Sequence, residues 1–299
     1  MKLICIAAMA LLFHSCNRKM GATASIVTPS SYTDANGNKI LLGIHPKEDL
    51  EQAPFATWYN KNYSDYNIDS VTAGALPPLV KNKSFEIFMG TWCGDSKREV
   101  PRMLKLLSYA GVPPAKVKLI MVDNRDSVYK QSPGHEEQGK SIHRVPTLLV
   151  YDGKKEMNRL VEYPVVSLEK DLLSILTASP YQPNYKGAAY LLRLSKEKKP
   201  TDIVKDSTGV AEQLKSLVRN SAELNSLGYV WMSAGEMDKA LLAFELNAVM
   251  FPNTVNVYDS LGEINAKMNN KEAARKYYNK VIGMQPGHTN AIKKLAQLQ

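Results

Sequence analysis

The sequence predicts a two-part fold, an α/β domain followed by an all-α domain. Between Phe85 and about Ala178, apolar stretches alternate between the lengths typical of strands and of helices. After the linker SPYQPNYKG at 179–187, apolar residues recur at helical spacing, and a 34-residue repeat lies within that region. The chain has 299 residues, 44% apolar and 22% charged, which is typical of a globular protein with about two domains.

The amino terminus predicts a secretory signal. Lys2 is the only charged residue before an apolar run from Leu3 to Phe13, and the small Ser15 precedes Cys16. Such a run is shorter than the roughly 20 residues that span a bilayer, but it fits the hydrophobic region of a signal peptide. The segment LFHSC resembles a bacterial lipoprotein signal, in which cleavage before a cysteine is followed by lipid attachment to it.

That resemblance implies a signal peptide at 1–15 and a lipid on Cys16, which would anchor the protein to a bacterial membrane in the cell envelope, on the periplasmic or outer-membrane side. Plain secretion and an intracellular location remain the alternatives. Residues 16–40 are rich in Ser, Thr, Gly and Asn, a composition that favours a flexible tether. The folded part would therefore begin near residue 41.

The α/β domain is predicted to cover 41–178. In it, 41–80 is interpreted as an extension with one or two short helices. The remaining elements are predicted in the order strand, helix, strand, short helix, hairpin and helix, with the named segments at 85–90, 99–109, 118–123, 147–151 with 159–163, and 168–176. Asp152 and Gly153 form the hairpin turn signal, and Ser167 is a candidate cap for the last helix.

The stretch TWCGDSKRE joins the first strand to its helix, so Cys93 lies at a helix amino terminus. With this element order, the WCGDS turn and the RVPT segment about fifty residues later resemble a thioredoxin-fold domain. The resemblance implies that Cys93 opens the active-site helix and that Trp92 shields its sulfur. It also implies that Pro146 follows a cis bond and faces the cysteine.

The helix amino terminus favours an ionised, nucleophilic thiol. Lys97 and Arg98 favour the same form, whereas Asp95 opposes it. Ser96 stands where a dithiol motif needs its second cysteine. Its hydroxyl can donate a hydrogen bond to the sulfur, but it cannot attack a mixed disulfide. His143 is either a structural histidine or a neighbour of Cys93.

Three cysteines are present. Cys5 would leave with the signal and Cys16 would carry lipid, so Cys93 would be the only free thiol of the mature protein. A single thiol can form a mixed disulfide with a client but needs a second thiol from outside to release it. The alternatives are that Cys93 is a remnant of a dithiol site or has a non-redox contact role.

The helical domain is predicted at 188–299. Leu227, Gly228, Ala240, Phe244 and Pro252 each recur as the same or a similar residue 34 positions later. Period and residue types resemble tetratricopeptide repeats, at about 221–254 and 255–288. Two repeats are fewer than the roughly three that support themselves, so we expect the flanking segments to cover both ends of the stack.

The net charge of +9 favours acidic partners. It forms no basic patch interleaved with aromatic residues, so nucleic-acid binding is not predicted. The sequence shows no cofactor motif, and His45 and His288 lack partners at metal-ligand spacing. From Cys93 and the thioredoxin resemblance, we expect a monothiol thiol–disulfide oxidoreductase or isomerase that acts on client proteins, while the repeats recruit a protein partner. The alternative is a non-catalytic scaffold that binds extended segments.

Overall fold

The computed structural model describes residues 29–298. The predicted signal, Cys5, Cys16 and the first part of the predicted tether lie outside the described residues, as does Gln299. A mixed α/β part comes first and a wholly helical part follows. This confirms the two-part prediction at that level.

The α/β domain contains one six-stranded sheet among the described residues. Its strands are β1 (Ser30–Thr33), β2 (Lys39–His45), β3 (Lys83–Met89), β4 (Val117–Met121), β5 (Thr147–Asp152) and β6 (Lys155–Val161). Their order is β1-β2-β4-β3-β5-β6; β3 and β4 are parallel, and every other neighbouring pair is antiparallel. The apolar β3 therefore lies inside the sheet. The turn that follows β3 starts at the centre of the sheet.

Helices pack on this sheet: α1 (Ala56–Ser64), α2 (Ser70–Ala73), α3 (Pro77–Val80), α4 (Gly94–Tyr109) and α5 (Leu168–Leu176). Helix α4 follows β3 and buries its predicted apolar face, which includes Val100, Met103 and Leu107. Ser167 caps α5 by accepting a hydrogen bond from the backbone N–H of Lys170, 3.2 Å away. The predicted strand–helix pattern of 85–178 is therefore present.

The prediction of a tether over 16–40 was wrong at its carboxyl end. Residues 30–33 and 39–45 form an antiparallel hairpin, and the Asp34 carboxylate closes its turn by accepting from the backbone N–H groups of Asn36 and Asn38, each at 2.8 Å. Ile40, on β2 between its neighbours β1 and β4, is buried. The segment 41–80 contains most of β2 and the three short helices α1, α2 and α3. Its strand belongs to the sheet because β2 pairs with β4.

The helical domain begins with α6 at Lys186, so the predicted linker 179–187 extends two residues into the first helix. Its helices are α6 (Lys186–Glu197), α7 (Pro200–Lys205), α8 (Ser207–Lys215), α9 (Ala222–Ser233), α10 (Met237–Met250), α11 (Val255–Lys267), α12 (Lys271–Met284) and α13 (Thr289–Ala296). The pairs α9–α10 and α11–α12 repeat with the 34-residue period, and α13 packs on α12. Within 29–298, no helix has the length and apolar character needed to cross a membrane.

The repeated glycines have a packing reason. A Cβ at Gly228 would lie 2.4 Å from Cε1 of Phe244, and one at Gly262 would lie 2.5 Å from Cε1 of Tyr278. Both distances are far below van der Waals contact. Each repeat therefore packs the aromatic ring of its second helix directly on the backbone of its first.

Helix α9 also contacts the α/β domain, on the loop between β4 and β5. Three hydrogen bonds involve residues 141–144, which lead directly into Pro146: Ser226 Oγ to His143 O at 2.6 Å, Arg144 to Ala222 O at 3.1 Å and Trp231 Nε1 to Ser141 Oγ at 3.3 Å. Earlier in the loop, Gln131 Nε2 donates to Ser233 O at 2.6 Å, and the hydroxyls of Tyr129 and Ser226 lie 3.4 Å apart. The helical domain thus holds the loop that approaches the cysteine.

Candidate functional site around Cys93

The turn between β3 and α4 positions Trp92 and Cys93. A Cβ at Gly90 would lie 2.3 Å from the Trp92 ring, so only glycine leaves room for the ring in this position. The Trp92 indole N–H donates to the Val122 carbonyl, 2.8 Å away, which fixes the ring at the end of β4. Cys93 follows as the N-terminal cap residue of α4, and its side chain does not cap the helix.

Cys93 and Pro146 meet, although about fifty residues separate them in the sequence. The Val145–Pro146 bond is cis, and the Cys93 thiol donates to the Val145 carbonyl oxygen at 3.2 Å. The Pro146 carbonyl accepts from the backbone N–H of Glu162 at 2.7 Å. Cys93 is partly exposed, so its thiol and a stretch of backbone lie side by side near the surface.

Ser96 has a different role from the predicted one. Its hydroxyl accepts a hydrogen bond from the backbone N–H of Gly90 at 3.2 Å, and the side chain is fully buried. No hydrogen bond joins it to the Cys93 sulfur among the described residues. The serine instead satisfies a buried amide at the end of β3.

The charges on the first turn of α4 are largely paired with each other. Arg98 contacts the carboxylates of Asp95 at 2.7 Å and Glu99 at 2.6 Å. Its positive charge is therefore shared between two acids and does not face Cys93 alone. The sequence expectation that Arg98 favours the ionised thiol is weakened accordingly.

Lys130 is a cation at this site that the sequence did not indicate. It is only 6% exposed, its ammonium lies 5.6 Å from the Trp92 ring centroid and 4.1 Å from that of Tyr129, and it donates to the Tyr129 hydroxyl at 2.7 Å. Burial raises the pKa of Tyr129, but the charge and hydrogen bond of Lys130 outweigh burial, so this pKa lies below its usual value.

Glu162 lies on another side of the site, directly after β6. Its backbone has the left-handed conformation, with φ 67°, and its carboxylate accepts from the Tyr185 hydroxyl. Burial raises the pKa of Glu162, Arg144 opposes the shift and Asp95 adds to it.

His143 is a structural residue in this arrangement. Burial, aided by the positive charge of Arg159, lowers its pKa to about 3, so the ring is neutral at physiological pH. Its Nε2 has no hydrogen-bond partner, and the ring packs edge-on against Tyr185 at 5.8 Å. No hydrogen bond connects it with Cys93 in the part of the chain that the structure describes.

The fold and the site define an α/β protein with a single partly exposed thiol at a helix amino terminus, beside a cis-proline loop. Within residues 29–298, Cys93 is the only cysteine, and no cluster of side chains there could hold a metal ion. No model of a known protein family matches the chain, and no curated protein matches it significantly. Along the described part of the chain, the site therefore combines one thiol with an adjoining loop and contains no second thiol.

Proposed function

We propose that the protein is a thioredoxin-like envelope protein that exchanges disulfides with client proteins through Cys93. The observation that carries the proposal is the 3.2 Å contact between the Cys93 thiol and the carbonyl that precedes the cis bond to Pro146. It joins two motifs of the thioredoxin resemblance in one place. The sheet order, with parallel β3 and β4 and an antiparallel β5–β6 hairpin, supports the same class.

The reaction begins with attack of the Cys93 thiolate on a client disulfide. A sulfur–sulfur bond forms between Cys93 and one client sulfur, and the other client sulfur leaves as a thiolate that takes up a proton from water. A second client thiol, or a small thiol, then attacks the mixed disulfide and restores Cys93. No net oxidation occurs when both thiols belong to the client, so the site is suited to isomerisation.

The helical pairs α9–α10 and α11–α12 act in this proposal as tetratricopeptide-like repeats that recruit a protein partner. Their glycine–aromatic contacts at Gly228 and Gly262 support that assignment. Because α9 also holds residues 141–144, a polypeptide bound to the repeats would be delivered close to Cys93. Recruitment and thiol chemistry would then serve the same client.

Replacement Cys93→Ser is expected to abolish covalent capture of clients. Envelope extracts would be treated with an alkylating agent to block free thiols and compared by non-reducing electrophoresis. Mixed disulfides should be present with the wild-type chain, absent with Cys93→Ser, and retained with Cys5→Ala, which changes a cysteine of the segment expected to be removed. Absence of any mixed disulfide in the wild type would contradict the exchange proposal.

A non-catalytic scaffold is the second candidate. It is favoured by one observation: the thiol is held by a carbonyl and the adjoining loop is held by α9, so the site could bind an extended segment without turnover. Under this alternative, Cys93→Ser and the wild type would retain the same protein partners, and none of them would be linked through a disulfide.

Lipid attachment at Cys16 is proposed from the signal resemblance and is tested separately. Labelled palmitate should be incorporated by the wild-type chain and by Cys5→Ala, because Cys5 lies within the segment that is removed. Cys16→Ala should lose both the label and its association with membranes. Labelling of the Cys16→Ala protein would contradict attachment at this residue.

A further inference from the structure

A cavity of about 560 Å³ lies between the two domains. One wall is formed by α9, α11 and the start of α13, and the other by the loop of the α/β domain that carries Asp126 and Arg144. A cavity of this size can hold a side chain together with adjoining backbone. It is separate from the contact between Cys93 and Val145 but lies close to it.

Asp259 is the main indication of a ligand. It lines the cavity and is 8% exposed; its Oδ2 accepts from the Asn290 amide at 2.9 Å, whereas its Oδ1 is buried without any hydrogen-bond partner. An unpaired buried carboxylate oxygen is costly. A hydrogen-bond donor that pairs with this carboxylate would remove the cost.

Glu263 lies one turn after Asp259 on the same face of α11, so the two carboxylates face the cavity together. Glu263 accepts from the uncharged Tyr229 hydroxyl at 3.1 Å. Burial raises the pKa of Tyr229, and the negative charge of Glu263 raises it further. Within the described chain neither acid forms an ion pair.

The chemical character of the ligand follows from these charges. The lining carries three carboxylates, of Asp126, Asp259 and Glu263, and two cations, of Arg144 and Lys294. The pair on α11 is therefore an acidic site within a protein whose net charge is +9. A guanidinium or ammonium group supplies both the positive charge and the hydrogen-bond donors that this pair lacks.

The opposite wall connects the cavity with Cys93. Arg144 lines the cavity, and the next residue, Val145, provides the carbonyl that accepts from the thiol at 3.2 Å. A polypeptide that places a side chain in the cavity can therefore bring a neighbouring residue to the sulfur. A free small cation has no neighbouring residue to place at the sulfur, so this proximity favours a polypeptide ligand.

We propose that the cavity binds an arginine or lysine side chain of an extended client polypeptide through Asp259 and Glu263, and so positions the client beside Cys93. The proposal rests on the proposed function only in taking the ligand to be a client polypeptide. It predicts a preference for clients with a basic residue close to the reacting cysteine.

The test uses the full chain and a fluorescent nine-residue peptide with blocked ends, one central arginine and no cysteine. A second peptide replaces arginine by citrulline, which keeps the shape and removes the charge. Fluorescence anisotropy at low salt should show about tenfold or greater loss of affinity for the citrulline peptide, and a similar loss for the arginine peptide in Asp259→Asn. Glu263→Gln should weaken binding too, whereas Glu272→Gln, a matched loss of charge on the exposed face of α12, should not.

Equal affinity for the two peptides, unchanged affinity in Asp259→Asn and Glu263→Gln, or no binding of the arginine peptide at millimolar concentration would each overturn the proposal. Arginine amide that binds as tightly as the peptide would overturn its polypeptide part. Because the probe has no thiol, Cys93→Ser must bind it as the wild type does. Failure of exchange at Cys93 with intact arginine recognition would therefore refute only the proposed function.

Discussion

Replacement Trp231→Ala is expected to lower the free energy of unfolding of the helical domain by about 3–5 kcal/mol, as for other large aromatic side chains removed from a core. Trp231 is 1% exposed and belongs to the core cluster of this domain. Its indole N–H also donates to the Ser141 hydroxyl across the interface. Urea unfolding followed by circular dichroism would measure the loss.

The matched control is Tyr278→Ala, which removes a similarly buried aromatic residue from the second repeat. Both variants should destabilise the helical domain. Only Trp231→Ala removes a contact to the 141–144 segment, so only this variant should increase the rate at which an alkylating agent modifies Cys93 under native conditions. A loss of less than about 1 kcal/mol in Trp231→Ala, or equal alkylation rates in the two variants, would contradict this account.

The sequence predicted the centre of the site because each part carries a local pattern. The apolar run at 85–90 and the helical spacing after Cys93 place the thiol at a strand-to-helix turn, and the strand after Pro146 is similarly apolar. Pairing of β3 with β5 then brings Phe88 opposite Thr147. Cys93 and Pro146 lie just beyond these paired residues. Their meeting was implied by the thioredoxin resemblance, and the pairing of β3 with β5 is what brings them together.

The β1–β2 hairpin was missed because composition and local pattern disagreed. The segment before Lys39 is polar and rich in Asn and Gly, which favours a tether, and Ile40, Leu41 and Leu42 form a short continuous apolar run without alternation. Such a run is ambiguous between a strand and a helix. Only the pairing of β2 with β4 decides it, and that pairing is not visible in either segment alone.

The surroundings of Cys93 were not predictable for a similar reason. Lys130 and Arg144 lie in a long loop without periodicity, and their roles depend on contacts with Trp92, Tyr185 and α9. The hydroxyl of Ser96 had two available uses, and the buried N–H of Gly90 determined which one occurs. Long-range packing therefore sets the charge and access around a thiol whose position the sequence already indicated.

Replacement Ser96→Cys is expected to convert the proposed capture site into a dithiol site. Residues three apart at the start of a helix bring their Cβ atoms about 5–6 Å apart, and a helix that begins after Cys93 allows the first side chain to approach the second. The introduced thiol could attack a mixed disulfide on Cys93, release the client as a thiol and leave an intramolecular disulfide in the protein. The client gains two electrons and the protein loses them, so an added dithiol such as dithiothreitol is needed for turnover.

Two measurements would follow this change. Mixed disulfides with clients should largely disappear from alkylated extracts, and the purified variant should accelerate the reduction of a protein disulfide by dithiothreitol, which the wild-type chain should do only weakly. The matched control is Ser96→Ala, which loses the hydrogen bond to Gly90 altogether, at a cost of about 1–3 kcal/mol, and adds no thiol. This control should keep its mixed disulfides.

Persistence of mixed disulfides in a folded Ser96→Cys protein would mean that the side chain at this position, fully buried against the end of β3, does not reach the sulfur. Gly90 would then retain its partner, because sulfur can accept a weak hydrogen bond from the same N–H. The proposed site could then form mixed disulfides but not resolve them, because of its geometry as well as its missing cysteine. Loss of mixed disulfides in both variants would instead show that the Ser96–Gly90 hydrogen bond is required to hold Cys93 in a reactive position. The pair of variants thus separates the chemical consequence of the serine from its structural one.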